Sequence, residues 1–275
     1  MSAERRHEEA ERNPWRPGSY EPEELAEALL RGRIAGTVTS HDRHNVRWKV
    51  ARLVAGDPDL QFGLTGLVGP DGPTAGEVLS MVSAEAGFDP DPLLRDDPVP
   101  IDPWKVLASC EAAGRRLALA AERGERVIAA TGHPVGLILL YMSVGELLIE
   151  CGAKLLTPME AVPWLEDGKR REVRYLHGIG VLNDRASSIH THRPDAMERM
   201  LEEVRPDLVF ADHGFAGAAI EAGVETVSIA DINDPALVVA KNLGRTEVVV
   251  VMDDNVRPED YWACFQAIAS QFDTD

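Results

Sequence analysis

Short, continuously apolar runs alternate with helical segments after Gly124, and this alternation constrains the fold more than any other feature of the sequence. The runs RVIAA, PDLVFA, ETVSIA and TEVVVV are each followed by a stretch with helical spacing of apolar residues. Strands that are apolar throughout suit burial on both faces, and the intervening helices form the crossovers of a parallel sheet. We therefore predict an α/β fold with a largely parallel, Rossmann-like sheet and flanking helices.

The arrangement of strands is ambiguous in one segment. The stretch REVRYLHGIGVLND, between the apolar run AKLL and the run PDLVFA, fits either a hairpin or an extra strand pair. Its apolar residues alternate too little to distinguish the two arrangements.

Before Gly124 the apolar residues are spaced differently. Apolar residues recur at intervals of three and four in PEELAEALLRGRIAG, HNVRWKVARLV and PWKVLASCEAAGRRLALAAERG, which indicates helices. The first residues are charged and include proline, as in mobile tails. We predict a mobile tail over 1–20, a helical N-terminal region over 21–124 and an α/β domain over 125–275 that carries the functional site.

Charge and cysteine content restrict partners and compartment. With 46 acidic and 28 basic residues the net charge is −18, which repels a phosphate backbone and an anionic membrane surface. Neither nucleic acid nor a membrane is an expected partner. The three cysteines form no CxxC pair and the N-terminal residues have no apolar signal stretch. We expect a cytoplasmic protein, with a homodimer as the default assembly.

Polar residues follow the predicted strands at the points where they end. His133 follows RVIAA in a Thr-Gly-His-Pro turn, and Asp212 and His213 follow PDLVFA. Ligands of open α/β sheets bind at the carboxyl ends of the strands, and imidazole titrates near neutral pH. We predict that these three residues are catalytic and that Gly132, at the start of a helix, helps to bind an anionic substrate.

The loops after the last two strands carry further carboxylates. ETVSIA is followed by Asp231, Asn233 and Asp234, and TEVVVV is followed by Asp253 and Asp254. Aspartate is also a common helix cap, and Asp234 before a proline fits that role equally well. In the functional interpretation, Asp231 and Asp234 bind a metal ion and Asn233 binds substrate.

Two histidines stand two residues apart in the segment Ile-His-Thr-His. In extended backbone the imidazoles of His190 and His192 share one face, as two metal ligands require. The alternative is a pair of exposed histidines beside a proline at a helix start. Together with the carboxylates, this set suits a divalent ion such as Mg²⁺, Mn²⁺ or Zn²⁺, whereas a histidine oriented by an aspartate would serve without metal.

Three further observations bear on ligand binding. Arg193 is a cation beside the histidine pair and is either a ligand contact or a solvated surface charge. Asn45 belongs to the polar cluster His-Asp-Arg-His-Asn. That cluster is either a solvated loop or a segment that folds over the sheet edge and contacts a ligand, and we assign both residues to substrate binding. The sequence lacks GxxxxGK[ST] and a complete GxGxxG, so no nucleotide cofactor is indicated.

The segments ATGHPVGLI, SIHTHRPDAME, PDLVFADHGFAGAA, IADINDPALVVA and VVVMDDNV resemble a family of actinobacterial-type cytoplasmic proteins named phosphatases. The resemblance extends over most of the chain from Arg126 onward. It implies phosphomonoester hydrolysis, although GxSxG, DxDxT and RHG motifs are absent. The leading hypothesis is a hydrolase acting on a small, anionic, phosphorylated metabolite. An isomerase or lyase using His/Asp proton transfer and a non-catalytic small-ligand sensor are the alternatives.

Overall fold

A computed structural model describes residues 13–91 and 98–273. The N-terminal region contains α1 (Pro22–Arg31), β1 (Gly36–Asp42), α2 (Arg43–Val54), α3 (Ala75–Ala86), β2 (Pro98–Ile101) and α4 (Pro103–Glu122). β1 and β2 pair antiparallel, so this region also contains a small sheet. Local signals explain two helix starts, because Thr74 and Glu77 form a capping box and Asp102 caps a helix that opens with Pro103.

The larger sheet belongs to the second half of the chain. It contains β3 (Arg126–Thr131), β4 (Lys154–Leu155), β5 (Trp164–Glu166), β6 (Lys169–Leu176), β7 (Ile179–Asp184), β8 (Ser187–Ser188), β9 (Leu208–Asp212), β10 (Thr226–Asp231) and β11 (Val248–Met252). The helices are α5 (Ile138–Glu150), α6 (Asp195–Glu203), α7 (His213–Glu221), α8 (Pro235–Asn242) and α9 (Trp262–Ala269).

The strands run in the order β11-β10-β9-β3-β7-β6-β5. Pairings from β11 across to β7 are parallel, and so is β3 with β4. Pairings β5–β6, β6–β7 and β7–β8 are antiparallel. The α/β class predicted from the sequence is confirmed. The sheet as a whole is mixed, because strands around a hairpin extend its parallel part.

That hairpin is the segment REVRYLHGIGVLND. β6 and β7 are joined by His177 and Gly178, both at positive φ, 47° and 83°, which is the backbone of a tight hairpin turn. β7 then pairs parallel with β3, so the hairpin becomes part of the main sheet. Of the two arrangements left open by the sequence, the structure shows the hairpin.

The parallel strands are buried on both faces, as their apolar sequences require. Every residue of β9 and of β10 is buried. Helices α4, α5 and α9 pack on one another, and α3, α6, α7 and α8 form a second connected group. No helix in the described part of the chain has the length and apolar character needed to cross a membrane.

Residues 1–12 of the predicted tail lie outside the described residues. The remainder of that segment packs on α9. The side-chain amide of Gln266 donates to the carbonyl oxygens of Pro14 and Arg16, both at 2.7 Å, and Trp15 lies with its ring centroid 5.8 Å from that of Phe265. The division of the chain at 20 and 124 stays a prediction.

Candidate active site

Four histidine rings meet at the carboxyl edge of the parallel strands. His133 follows β3, His213 directly follows β9, and His190 and His192 lie in the extended segment after β8. The His133 centroid lies 4.1 Å from that of His190 and 4.6 Å from that of His213, and the His192 centroid lies 4.4 Å from that of His213. We call these four residues the histidine cluster. His213 is its centre and is 1% exposed.

Three carboxylates surround His213. Its Nδ1 lies 3.1 Å from an oxygen of Asp212, and its Nε2 lies 3.0 Å from Asp234 and 3.3 Å from Asp254. All three aspartates are at most 2% exposed. Burial lowers the pKa of His213, but hydrogen bonding and charge from these carboxylates outweigh it and raise that pKa well above 6.5.

The backbone places His213 at this centre. β9 ends at Asp212 and α7 begins at the next residue, so no loop separates strand and helix. His213 has a φ of 43°, a left-handed conformation that costs a non-glycine residue about 1 kcal/mol or more. Such strain in a fully buried residue is typical of functional sites.

Asp212 fixes the neighbouring turn. It accepts hydrogen bonds from the Gly132 N–H at 2.6 Å and from the Thr131 hydroxyl. Burial alone would raise the pKa of Asp212, but the hydrogen bond and charge of His213 lower it below its ordinary value. A Cβ on Gly132 would collide with the Thr191 carbonyl oxygen, so only glycine lets the His-Thr-His segment approach β3.

For Asp234 and Asp254, the alternative of a helix cap does not match the contacts of their side chains. Asp234 occupies the N-cap position of α8 but makes no capping hydrogen bond with its side chain. Asp254 lies 3.4 Å from His133 Nδ1 as well as beside His213. Burial first, and then the charge of Asp231, raise the pKa of Asp254 well above its ordinary value.

The other three histidines of the cluster have lowered pKa values. Burial is the main cause that lowers the pKa of His133 to about 3 and that of His192 to about 4, with the charge of His213 next. The same causes lower the pKa of His190, whose residue is exposed. Neutral imidazole has a free lone pair at pH 7, which is the form that binds a metal ion.

Among the residues that the structure describes, two sets of three side chains bring ligand atoms within 4.8 Å of one another. They are His133, His190 and His213, and His192, His213 and Asp234. Several of these buried atoms satisfy no hydrogen-bond geometry, among them His133 Nδ1, His213 Nε2 and Asp234 Oδ1. Buried polar atoms in that state are costly unless a ligand satisfies them. The donor set therefore fits a divalent cation.

Asp231 lies apart from both sets. Its carboxylate is 2.6 Å from Nε2 of His41, a residue of β1. Burial is the largest cause that raises the pKa of Asp231, to about 6. For His41, burial lowers the pKa, but the hydrogen bond and charge of Asp231 outweigh it and the pKa lies above 6.5. Asp231 thus binds a histidine from the N-terminal region, where we predicted a metal.

The two predicted substrate-binding asparagines belong to the same network. The side-chain amide of Asn233 donates to Asn45 Oδ1 at 2.9 Å and lies 3.0 Å from His41 Nδ1. The polar segment around His41 therefore folds over the sheet edge rather than lying in solvent. His41 itself was not predicted as a site residue, and its only sequence signal was the density of polar residues around it.

Arg193 is placed differently. Its guanidinium donates to Asp167 at 2.6 Å and to Asp195 at 3.0 Å, neither of which belongs to the histidine cluster. These bonds, with burial opposing them, raise its pKa further above the ordinary value. The structure does not bring this cation together with the other predicted residues. The backbone N–H of Gly132 is likewise already bonded to Asp212.

Fold and site first define a class: an α/β protein with a buried His/Asp site at the carboxyl edge of its parallel strands. Comparison with known proteins then gives the family. A family model described as Phosphatase matches residues 20–270. A protein named Phosphatase SCO2771 from Streptomyces coelicolor is 35% identical over 252 residues, which cover 90% of this chain and 94% of that protein. The chain belongs to this phosphatase family and is classed with the hydrolases.

Proposed function

We propose that this protein is a metal-assisted phosphomonoesterase that acts on a small phosphorylated metabolite at the histidine cluster. The observation that carries the proposal is the convergence of four histidines and three buried aspartates, among which His133, His213, Asp234 and Asp254 each have a buried polar atom without a hydrogen-bond partner. The parallel part of the sheet supports a Rossmann-like arrangement, since the site lies where such sheets bind ligands.

The metal ion is assigned to His192, His213 and Asp234. This set combines two imidazoles with a carboxylate, and two of its members are fully buried with unpartnered ligand atoms. Imidazole ligands favour Zn²⁺ or Mn²⁺ over Mg²⁺. When bound, such an ion polarises a phosphoryl oxygen and increases the acidity of water. It also supplies the positive charge that a proton on His213 otherwise provides among the carboxylates.

The remaining side chains have separate tasks. The ring centroid of His133 lies 4.6 Å from that of His213, which positions this imidazole to accept a proton from the attacking water. The water oxygen bonds to phosphorus, the ester P–O bond breaks, and the leaving oxygen takes up a proton, which gives an alcohol and inorganic phosphate. Asp212 orients His213 and the Gly132 turn.

A panel of phosphorylated metabolites, assayed for phosphate release by protein purified without chelator, tests the reaction. Metal analysis of the same preparation tests the cofactor. We expect one ion per chain, its loss in His192→Ala, and its retention in the matched variant His190→Ala. Retention in the first variant and loss in the second would move the ion to the His133, His190 and His213 set.

The same panel separates the alternative functions. Conversion of a metabolite without free phosphate would indicate an isomerase or lyase, and tight binding without turnover would indicate a sensor. Either result would overturn the proposal of phosphomonoester hydrolysis.

A further inference from the structure

We propose that Lys49 of α2 binds the phosphate group of the substrate, and that the site therefore prefers phosphate monoesters, which carry two negative charges, over diesters. The proposal rests on the proposed hydrolysis and adds the substrate class and a binding residue from outside the α/β half of the chain. It starts from the charge of the site.

The site edge is strongly acidic. Five aspartates, each at most 6% exposed, lie at the ends of β9, β10 and β11: Asp212, Asp231, Asp234, Asp253 and Asp254. The whole chain carries a net charge of −18. A phosphate monoester is repelled by such a surface unless a cation in addition to one metal ion faces it.

Three other cations, on segments that border the site, already have partners. Arg193 is bound by Asp167 and Asp195, and Lys241 lies 2.7 Å from Glu85. Arg43 donates to the carbonyl oxygen of Asp89 at 2.6 Å. These side chains would have to break existing bonds before they could bind a ligand.

Lys49 is the exception near the cluster. Within residues 13–91 and 98–273 its ammonium forms no ion pair and no hydrogen bond. The residue is half-buried, so its aliphatic stem packs while the charged end remains accessible. Its position relative to the site follows from the helix that carries it.

The helix fixes the direction of this lysine. Asn45, in the first turn of α2, accepts the hydrogen bond from Asn233, so that face of the helix meets the sheet edge. Residues four apart share one face of a helix, and Lys49 is four residues after Asn45. α2 also packs on α8, which begins immediately after Asp234. Lys49 therefore lies on the face of α2 that meets the sheet edge.

Lys49→Met removes the charge with little change in length. Against p-nitrophenyl phosphate we expect KM to rise at least about tenfold and kcat to change less than threefold, since the charge acts on binding. The inhibition constant of inorganic phosphate should rise by the same factor. The preference for p-nitrophenyl phosphate over bis(p-nitrophenyl) phosphate should fall. Lys49→Arg, which keeps the charge, should restore most of the loss.

Lys154→Met is the matched control, because Lys154 is exposed and pairs with the first residue of β3 at the opposite edge. Its kinetic constants should equal those of the unsubstituted protein. Unchanged phosphate inhibition in folded Lys49→Met, with phosphatase activity intact, would overturn the role of Lys49 and leave the proposed function standing.

Calorimetry with inorganic phosphate distinguishes a failure of the proposed hydrolysis from a failure of the proposal for Lys49. If the unsubstituted protein hydrolyses no ester but binds phosphate, and Lys49→Met does not bind it, the proposed function fails and the lysine site stands. If the unsubstituted protein binds no phosphate at millimolar concentration, the proposal for Lys49 is overturned.

Discussion

The two edges of the parallel sheet contain the same kinds of charged residue in opposite states. At the amino edge, Arg116 lies between Glu125 and Glu225, at 2.8 Å and 2.5 Å, and Arg126 pairs with Asp207. At the carboxyl edge, Asp212, Asp234 and Asp254 are buried and form their ion pairs with histidines. Arginines neutralise the carboxylates of the first edge through salt bridges, whereas no arginine pairs with these aspartates of the second edge within the described residues. Buried carboxylates that no arginine neutralises are stabilised by a proton or by a bound cation.

The largest expected effect is at the centre of the acidic edge. His213→Asn removes the imidazole while asparagine tolerates the left-handed backbone. We expect kcat/KM for phosphate release to fall at least about a hundredfold, because both a ligand and its carboxylate contacts are lost. His177→Asn, at the hairpin turn with a similar φ, is the control and should retain activity. Equal activity in the two variants would refute the central role of His213.

Removal of the metal ion is expected to have the second-largest effect, and only at the carboxyl edge. If an ion neutralises the carboxyl edge, chelation should abolish activity and lower the melting temperature by several degrees, since a ligand bound only by the folded state stabilises it. In His192→Ala the metal-dependent part of this shift should vanish. A melting temperature that is independent of chelator in the unsubstituted protein would contradict a bound ion.

A moderate effect is expected where the N-terminal region meets the site. Asn45→Ala removes the acceptor for Asn233, and the loss of one hydrogen bond of about 1 kcal/mol should reduce kcat/KM about five- to tenfold. Asn242→Ala, which removes a hydrogen bond at the end of α8, provides the comparison. Similar activity in both variants would show that the polar segment only covers the edge.

The smallest effect belongs to the amino edge. Arg116→Met should lower the free energy of unfolding by about 1 kcal/mol, since its partner Glu225 is half exposed, and leave kcat/KM unchanged. Hydrogen bonding to Arg116 lowers the pKa of Glu225. A carboxyl with a lowered pKa in the folded state stabilises it above its ordinary value near 4.5, and this stabilisation is lost as pH falls further. Urea titrations at pH 7 and pH 3.5 should therefore show the difference between variants shrinking in acid.

Much of the fold follows from local patterns. Apolar runs predicted the central parallel strands, since each run is a complete strand with turn residues at its end. The rule that strand ends converge was enough to bring His133 and His213 together. The mixed sheet was not predicted. It arises because β7 pairs with β3 and so brings the antiparallel strand β6 into the main sheet. Periodicity contains no information on pairing between strands that are this far apart in the sequence.

The site was predicted less completely. Asp254 approaches two histidines, and His41 binds Asp231 across 190 positions of the chain; both contacts depend on packing between distant segments. Aspartate after a strand has the same sequence signal whether it caps a helix or meets a histidine. For this reason the pairing of Asp231 with His41 was not predicted, and the assignment of Asp231 to a metal stays a prediction.

The absence of any loop between β9 and α7 affects how the enzyme should behave on heating. His213 is attached to a strand and a helix that are both part of the core, so it has no hinge of its own. Local fraying cannot displace it before the sheet itself opens. Thermal inactivation and global unfolding of this protein should therefore share one midpoint, and the central imidazole should be among the last side chains to lose its position.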